Sequence, residues 1–420
     1  MDADGRPGSR PTAPGGSDSG PDIPETLYHP KVVLVTGACR FLGGYLTARL
    51  AQNQLIEHVI AVDAITPSKD MLRRMGRAEF VRADIRNPFI AKVIRNGNVD
   101  TVVHAAAASY VPQSGRAALK ELNVMGAMQL FAACQKAPSV RRVILKSTSE
   151  IYGSSPRDPV MFTEDSSARR PPGEGFARDS IDIEGYARGL ARRRPDIDVT
   201  IARYQAILGP RIQTRMGAYL SAPIVPSVIG YQPRLQFLHE EDALGALEHI
   251  TLSAPSGTFN IAADGVITLT QAIRRAGRIE LPVPSGLVTP ITGVFADVRS
   301  ARLRSSQMDY LTYGRVLDNT RMRTRLGFEP RFTTSETLED FIERGAFAVL
   351  RHRKTGEYLR LRCRAEDTYR EFVLDVDLLP AGVSGAIAAH LVPAAGVEAT
   401  RTVRLMRAAT LFVSAAAASA

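Results

Sequence analysis

Cysteine is scarce, tryptophan is absent, and no long apolar run interrupts this 420-residue chain. The three cysteines, Cys39, Cys134 and Cys363, lie far apart with no CxxC spacing, which argues against a disulfide framework or a zinc module and points to a reducing compartment. No apolar stretch approaches the ~20 residues of a membrane helix, and the N-terminus carries no apolar leader core, so membrane insertion and export lack support and the cytoplasm is the expected location. A formal net charge of +10 raises the question of nucleic acid. The arginines are scattered, however, and no basic patch is interleaved with aromatics, so a basic surface and no nucleic-acid partner are expected. What is present is ordinary for a globular chain: 45% hydrophobic and 23% charged residues, enough to bury a sizeable core.

Residues 1–28 are rich in Gly, Pro, Ser and Asp and poor in large apolar side chains, a composition that cannot offset the entropy of ordering and predicts a disordered tail. From Lys31, short β-rich runs at 59–63, 80–82, 101–104 and 142–147 alternate with helical patterns at 42–52, 89–96 and 117–136. A further helix at 180–193 and a strand at 199–203 follow. Such alternation predicts a doubly wound α/β domain, a parallel sheet covered on both faces with its ligand at the carboxyl ends of the strands. Beyond Tyr204, prolines 210, 223, 226 and 233 break the chain into short pieces, as expected of a smaller substrate-covering lobe within 29–347. Residues 348–420 read as a weakly ordered extension of unknown role.

The segment KVVLVTGACRFLG, Lys31 to Gly43, is a buried strand leading into a phosphate-binding turn. Gly37 and Gly43 bracket the turn, so backbone amides at the start of a helix can approach a pyrophosphate. Arg40 stands where such turns usually carry another glycine, and its long cationic side chain must either clash with a dinucleotide or contact its phosphate. Asp63 closes the next strand, 20 positions after Gly43. A carboxylate there accepts from an adenosine ribose and repels a 2′-phosphate, which favours NAD over NADP.

With these residues, the chain resembles the extended short-chain dehydrogenase/reductase group, in the NAD-dependent epimerase/dehydratase family of which UDP-glucose 4-epimerase is the type. The likeness covers about 31–347. It rests on Ala83-Asp84-Ile85-Arg86, His104-Ala105-Ala106-Ala107, Asn123-Val124-Met125-Gly126, Ser147 to Gly153, Glu184, Arg203-Tyr204 and His239 to Asp242. The resemblance implies NAD held by Gly37, Arg40, Phe41, Leu42, Gly43, Asp63, Asp84, Ile85, Ala105, Ala106 and Ala107. It also implies hydride transfer from a sugar derivative or other secondary alcohol. Family members often pair through two helices, matched here by 117–136 and 180–193, so a homodimer is a further expectation.

The same resemblance exposes departures. The family uses a Ser/Thr, a Tyr and a Lys, the last two on one helix face four residues apart; the Tyr removes a proton once its pKa is lowered. Thr148 fits the hydroxyl position. Phe176 and Ser180 occupy the Tyr and Lys positions, and neither can do that work. Lys146 shares the strand face of Thr148, about 6.6 Å away, and offers charge without an evident partner base. Ala206 stands where nucleotide-sugar enzymes of the family tend to carry Asn. The run His239-Glu240-Glu241-Asp242 lacks a second ligand cluster, so it is expected to cap a helix and hold no metal. Two functions remain open: an NAD-dependent enzyme using Thr148 and an unorthodox base, or a non-catalytic dinucleotide-binding sensor or partner protein.

Overall fold

A computed structural model describes residues 29–107, 115–169, 171–222, 224–253, 255–288 and 305–345, together with strand backbone at 347–352, 358–361, 369–374 and 391–393. The tail expected at 1–28 and Cys363 lie outside the described residues.

The first strand, β1 (Val32–Thr36), is apolar for four residues and has no exposed face: Val33, Leu34 and Val35 are all 0% exposed. Each such side chain contributes about 1.5–3 kcal/mol of burial, which fixes this strand at the centre of a sheet. Beside it lie β2 (His58–Asp63), β3 (Glu79–Arg82), β4 (Thr101–His104), β5 (Arg142–Thr148) and β6 (Asp198–Tyr204). The strand Gly257–Ile261 completes a seven-stranded sheet in the order 257–261, β6, β5, β4, β1, β2, β3. Every neighbouring pair in that sheet is parallel, so each connection crosses a face and brings a helix with it. The order reverses between β1 and β4, leaving a crevice at their carboxyl ends, where a doubly wound sheet binds its ligand.

Two apolar layers cover the sheet. On one face Val33, Val35, Ile144, Ala202 and Tyr204 pack with Leu42 and Leu46 of α1 (Phe41–Gln52) and with Leu247 and Ile250 of the helix Glu240–Ser253. On the other, Leu34, Val143 and Leu145 meet Leu130 and Phe131 and, from the helix Gly175–Arg193, Ile183 and Leu190. Both faces are dry, so the strands read as continuous apolar runs rather than alternating ones.

Three features differ from the sequence reading. A helix, Lys69–Met75, capped by the Ser68 side chain accepting from the Met71 amide, joins β2 to β3. The helix expected at 117–136 is two helices, Arg116–Lys120 and Gly126–Lys136, separated by a π-helical turn, Glu121–Met125. The wider turn carries Asn123, 1% exposed, whose Nδ2 donates to Asp179 Oδ2 at 3.2 Å. Finally, the chain leaves the sheet after β6, builds lobe strands at Ala206–Leu208, Ile224–Val228, Arg234–Leu235 and Phe237–His239, then returns with Gly257–Ile261 before resuming the lobe. In the stretch after residue 346, the described strands form a separate four-stranded sheet.

Candidate active site

At the end of β1 the backbone of Gly37 turns with φ +76, and its amide donates to the Val62 carbonyl at 2.9 Å. A Cβ on Gly37 would lie 2.7 Å from Ala106 Cα, and one on Gly43 would lie 2.2 Å from the Gly37 carbonyl oxygen. Only glycine satisfies either position. The turn is thereby pressed against Ala105 and Ala106 at the end of β4, and the first amides of α1, which have no partner within their helix, open on the crevice.

Asp63 is built into this turn. Its Oδ2 accepts from the Cys39 amide at 3.0 Å and its Oδ1 from the Ile65 amide at 3.2 Å. A carboxylate has about four lone-pair sites, so acceptor capacity remains for a ribose. Arg40 is the residue preceding α1; it is half-buried, its side chain caps nothing, and its guanidinium makes no hydrogen bond or ion pair among the described residues. Burial lowers the pKa of its guanidinium while Asp63 raises it. A half-buried unpaired guanidinium beside open helix amides fits a pyrophosphate, so the turn suits a dinucleotide with Arg40 as a contact to it.

The other expected cofactor residues divide. Ala105, Ala106 and Ala107 follow β4, the first two of them against Gly37. Leu42, 7% exposed, and Ile85, 5% exposed, belong to the two apolar layers. The ring of Phe41 packs on Tyr45 at 4.7 Å and lies 5.6 Å under the Arg211 guanidinium, so Arg211 rather than a ligand occupies one of its faces. Asp84 accepts from its neighbour Arg86 at Nη2 (2.6 Å), which holds its carboxyl below the usual range.

Strand β5 ends at Thr148, whose hydroxyl accepts from the Glu150 amide at 3.2 Å and so starts the short helix Ser149–Tyr152. Two residues earlier on the same face stands Lys146. Its ammonium lies 5.8 Å from the centre of the Tyr204 ring, in a half-buried position with no hydrogen bond among the described residues. Burial pulls its pKa from 10.5 down to about 8; Glu150 works against the shift and Arg40 works with it. Lys146 therefore feels both the turn that would hold the cofactor and the acid that follows Thr148. Sequence parity placed Lys146 beside Thr148. It could not show the proximity to Arg40.

The helix Gly175–Arg193, which starts five residues earlier than the expected 180–193, carries Phe176 and Ser180 one turn apart and shows both engaged. Phe176 is 8% exposed and Ser180 4% exposed, and the serine hydroxyl donates to the Phe176 carbonyl at 2.8 Å. Between them Asp179, 0% exposed, accepts from Arg116 at 2.7 and 2.6 Å. This ion pair, together with Arg116 donating to the Gly175 carbonyl at 3.0 Å, pins the first turn of the helix.

Tyr152 is also committed. It is 1% exposed, donates to Asn260 Oδ1 at 2.7 Å and accepts from Arg203 Nη1 at 2.7 Å, while burial pushes its pKa up to about 12. It is a core residue stacked on Phe162 at 5.0 Å rather than a residue lining a substrate. Arg203 continues to Glu184 at 2.9 Å, and Glu184 accepts from Ser147 at 2.6 Å. This buried network ties β5 and β6 to the helix behind them. In the run His239 to Asp242, Glu240 accepts from the Arg211 and Ile212 amides at 3.0 and 2.7 Å, and Asp242 from those of Arg331 and Phe332 at 3.0 Å each. These acids hold backbone of neighbouring segments, and no metal-binding cluster occurs among the described residues.

Comparison with known proteins bears on the family and the fold. The model of the NAD dependent epimerase/dehydratase family matches residues 33–262. An uncharacterized protein of Mycobacterium tuberculosis is 68% identical over 318 residues, 76% of this chain and 85% of that protein. Among solved structures, UDP-glucose 4-epimerase from Thermotoga maritima, with UDP-glucose, aligns at TM-score 0.57 and 20% identity, covering 74% of this chain and 98% of its own. The dTDP-glucose 4,6-dehydratase DesIV from Streptomyces venezuelae, with NAD and TYD bound, aligns at TM-score 0.56 and 24% identity, covering 74% and 96%. At these identities the likeness establishes the fold.

Proposed function

The chain belongs to the NAD-dependent epimerase/dehydratase family, and we propose that it oxidises a secondary alcohol of a sugar derivative with Lys146, rather than a tyrosine, as the proton acceptor. The observation that carries this reading is the half-buried amine two residues before Thr148, over the Tyr204 ring and within electrostatic reach of Arg40 and Glu150. NAD, when bound, supplies the hydride acceptor. The amides opening α1 and the guanidinium of Arg40 would hold its phosphates, and Asp63 would accept from its ribose. The hydroxyl of Thr148 orients the substrate oxygen. Lys146, neutral above about pH 8, takes the hydroxyl proton, and Glu150 balances the ammonium that results.

One observation favours a second reading, a dinucleotide-binding protein without turnover. Phe176 and Ser180 are packed and bonded to each other, so neither can assist catalysis. The two readings separate in a single assay. NAD binding is measured by calorimetry on the purified chain, and reduction of NAD is then followed with a panel of sugars and nucleotide sugars, in the natural protein and in Lys146→Met. Turnover lost in the variant, with NAD affinity retained, supports the first reading. Binding without turnover in any protein supports the second, and absence of NAD binding overturns both.

A further inference from the structure

One buried cation on the substrate side forms no ion pair among the described residues, although Glu150 and Asp158 act on it from farther off. Arg315, contributed by the lobe, is 6% exposed. Its Nε donates to the Gly153 carbonyl at 2.8 Å, Nη1 to Ser149 Oγ at 3.1 Å and Nη2 to Ser154 Oγ at 3.3 Å. All three acceptors are neutral, and no carboxylate forms an ion pair with it among the described residues. Arg203, equally buried, is matched by Glu184 at 2.9 Å. An unmatched guanidinium in such a place carries a desolvation cost that an anion would relieve.

The position is also chemically informative. Ser149 directly follows Thr148, so the guanidinium abuts the turn that carries the substrate-orienting hydroxyl. Arg315 also lines a cleft of about 300 Å3 with Ser155, Asp158, Tyr231, Arg234 and Tyr313. Of the five N–H groups of an arginine, three are used. One remains on each terminal nitrogen, the number that the two oxygens of a carboxylate take up. A phosphate dianion fits less well, because a single guanidinium would leave excess negative charge near Glu150, which already acts on Arg315.

We propose that Arg315 receives a carboxylate of the substrate, so that the substrate class is a sugar acid. This rests on reading the crevice as an NAD-dependent sugar site, and it places the specificity-determining contact on the lobe rather than on the sheet. The test uses the full chain with NAD, and calorimetry with matched probes: UDP-glucuronic acid against UDP-glucose, D-glucuronate against D-glucose, and D-glucose 6-phosphate. The acid of a matched pair should bind at least tenfold more tightly than its neutral partner. Arg315→Gln should erase that difference and leave NAD affinity unchanged, and Arg315→Lys should keep part of it. The comparison of natural-protein ligands needs no variant, so a misfolded Arg315→Gln does not obscure the outcome. Equal binding of acid and neutral probes, no saturable binding of either acid, or a preference that survives Arg315→Gln overturns the proposal, and tighter binding of the 6-phosphate than of D-glucuronate overturns the choice of carboxylate. Acid preference without NAD binding would instead bring down the cofactor reading and leave the carboxylate contact standing.

Discussion

Raising the pH should switch turnover on, and the two charges near Lys146 should move that switch in opposite directions. Burial holds the Lys146 ammonium down to about 8 from 10.5. Only the neutral amine accepts a proton, so the active fraction is about one tenth at pH 7 and about one half at pH 8. kcat/KM for alcohol oxidation should therefore climb about tenfold per pH unit below 8 and level off above it. A unit charge ~10 Å away at an effective dielectric of ~20 is worth about 1.7 kcal/mol, a little over one pKa unit, and solvent at a half-buried site cuts this to roughly half. Glu150→Gln should thus lower the midpoint by roughly half a unit and Arg40→Gln should raise it by a similar amount, measured from the absorbance of reduced cofactor at saturating NAD. Lys146→Met should lose ~100-fold to 10,000-fold in rate and flatten the profile. A flat profile in the natural protein, shifts of the same sign in the two charge variants, or unimpaired turnover in Lys146→Met would refute the assignment.

Other expectations follow from the same structure. His104 donates to or accepts from Thr36 at 2.8 Å and is held neutral by burial, which lowers its pKa to about 4 from 6.5; the unfolded chain takes up the proton between those values, so stability should fall as pH drops from 6.5 to 4. Denaturant titration across that range should show the slope and His104→Gln should lose it; an equal slope in the variant would discard the cause. Gly43→Ala places a methyl 2.2 Å from the Gly37 carbonyl and should cost about 1–3 kcal/mol, with NAD binding weakened far more than the melting temperature; unchanged NAD affinity by calorimetry would contradict the close turn. Restoring Phe176→Tyr with Ser180→Lys buries a phenol and an ammonium that have no ready partners, so the double variant should be less stable by several kcal/mol without cofactor, and thermal unfolding with and without NAD measures whether the cofactor recovers that loss. If the variant is as stable as the natural chain without NAD, the packing described for that helix turn is wrong.

What could be read from the residues, and what could not, divides along sequence separation. The four apolar residues of β1, Gly37, Gly43 and Asp63 announce a dinucleotide turn because their roles are local: burial, close approach and the end of the adjacent strand. Thr148, Phe176 and Ser180 were equally legible, since the motif around each is contiguous. The proximity of Lys146 to Arg40 was not, because it depends on the register of β5 against β4 and β1. The bond from Arg315 to Ser149 spans 166 residues, beyond any periodicity. Gly257–Ile261 is not legible because the short run GTFNI carries a weak β signal and takes its place by pairing with β6.

That returning strand bears on how the molecule can be taken apart. The sheet and the lobe share one thread that passes between them more than once, so a cut after Ser253 removes the neighbour of β6 and leaves a raw strand edge open to aggregation. The lobe is not a cassette to be lifted out and exchanged; the proposed role of Arg315 is to be tested by changing that side chain in place, with the thread left whole.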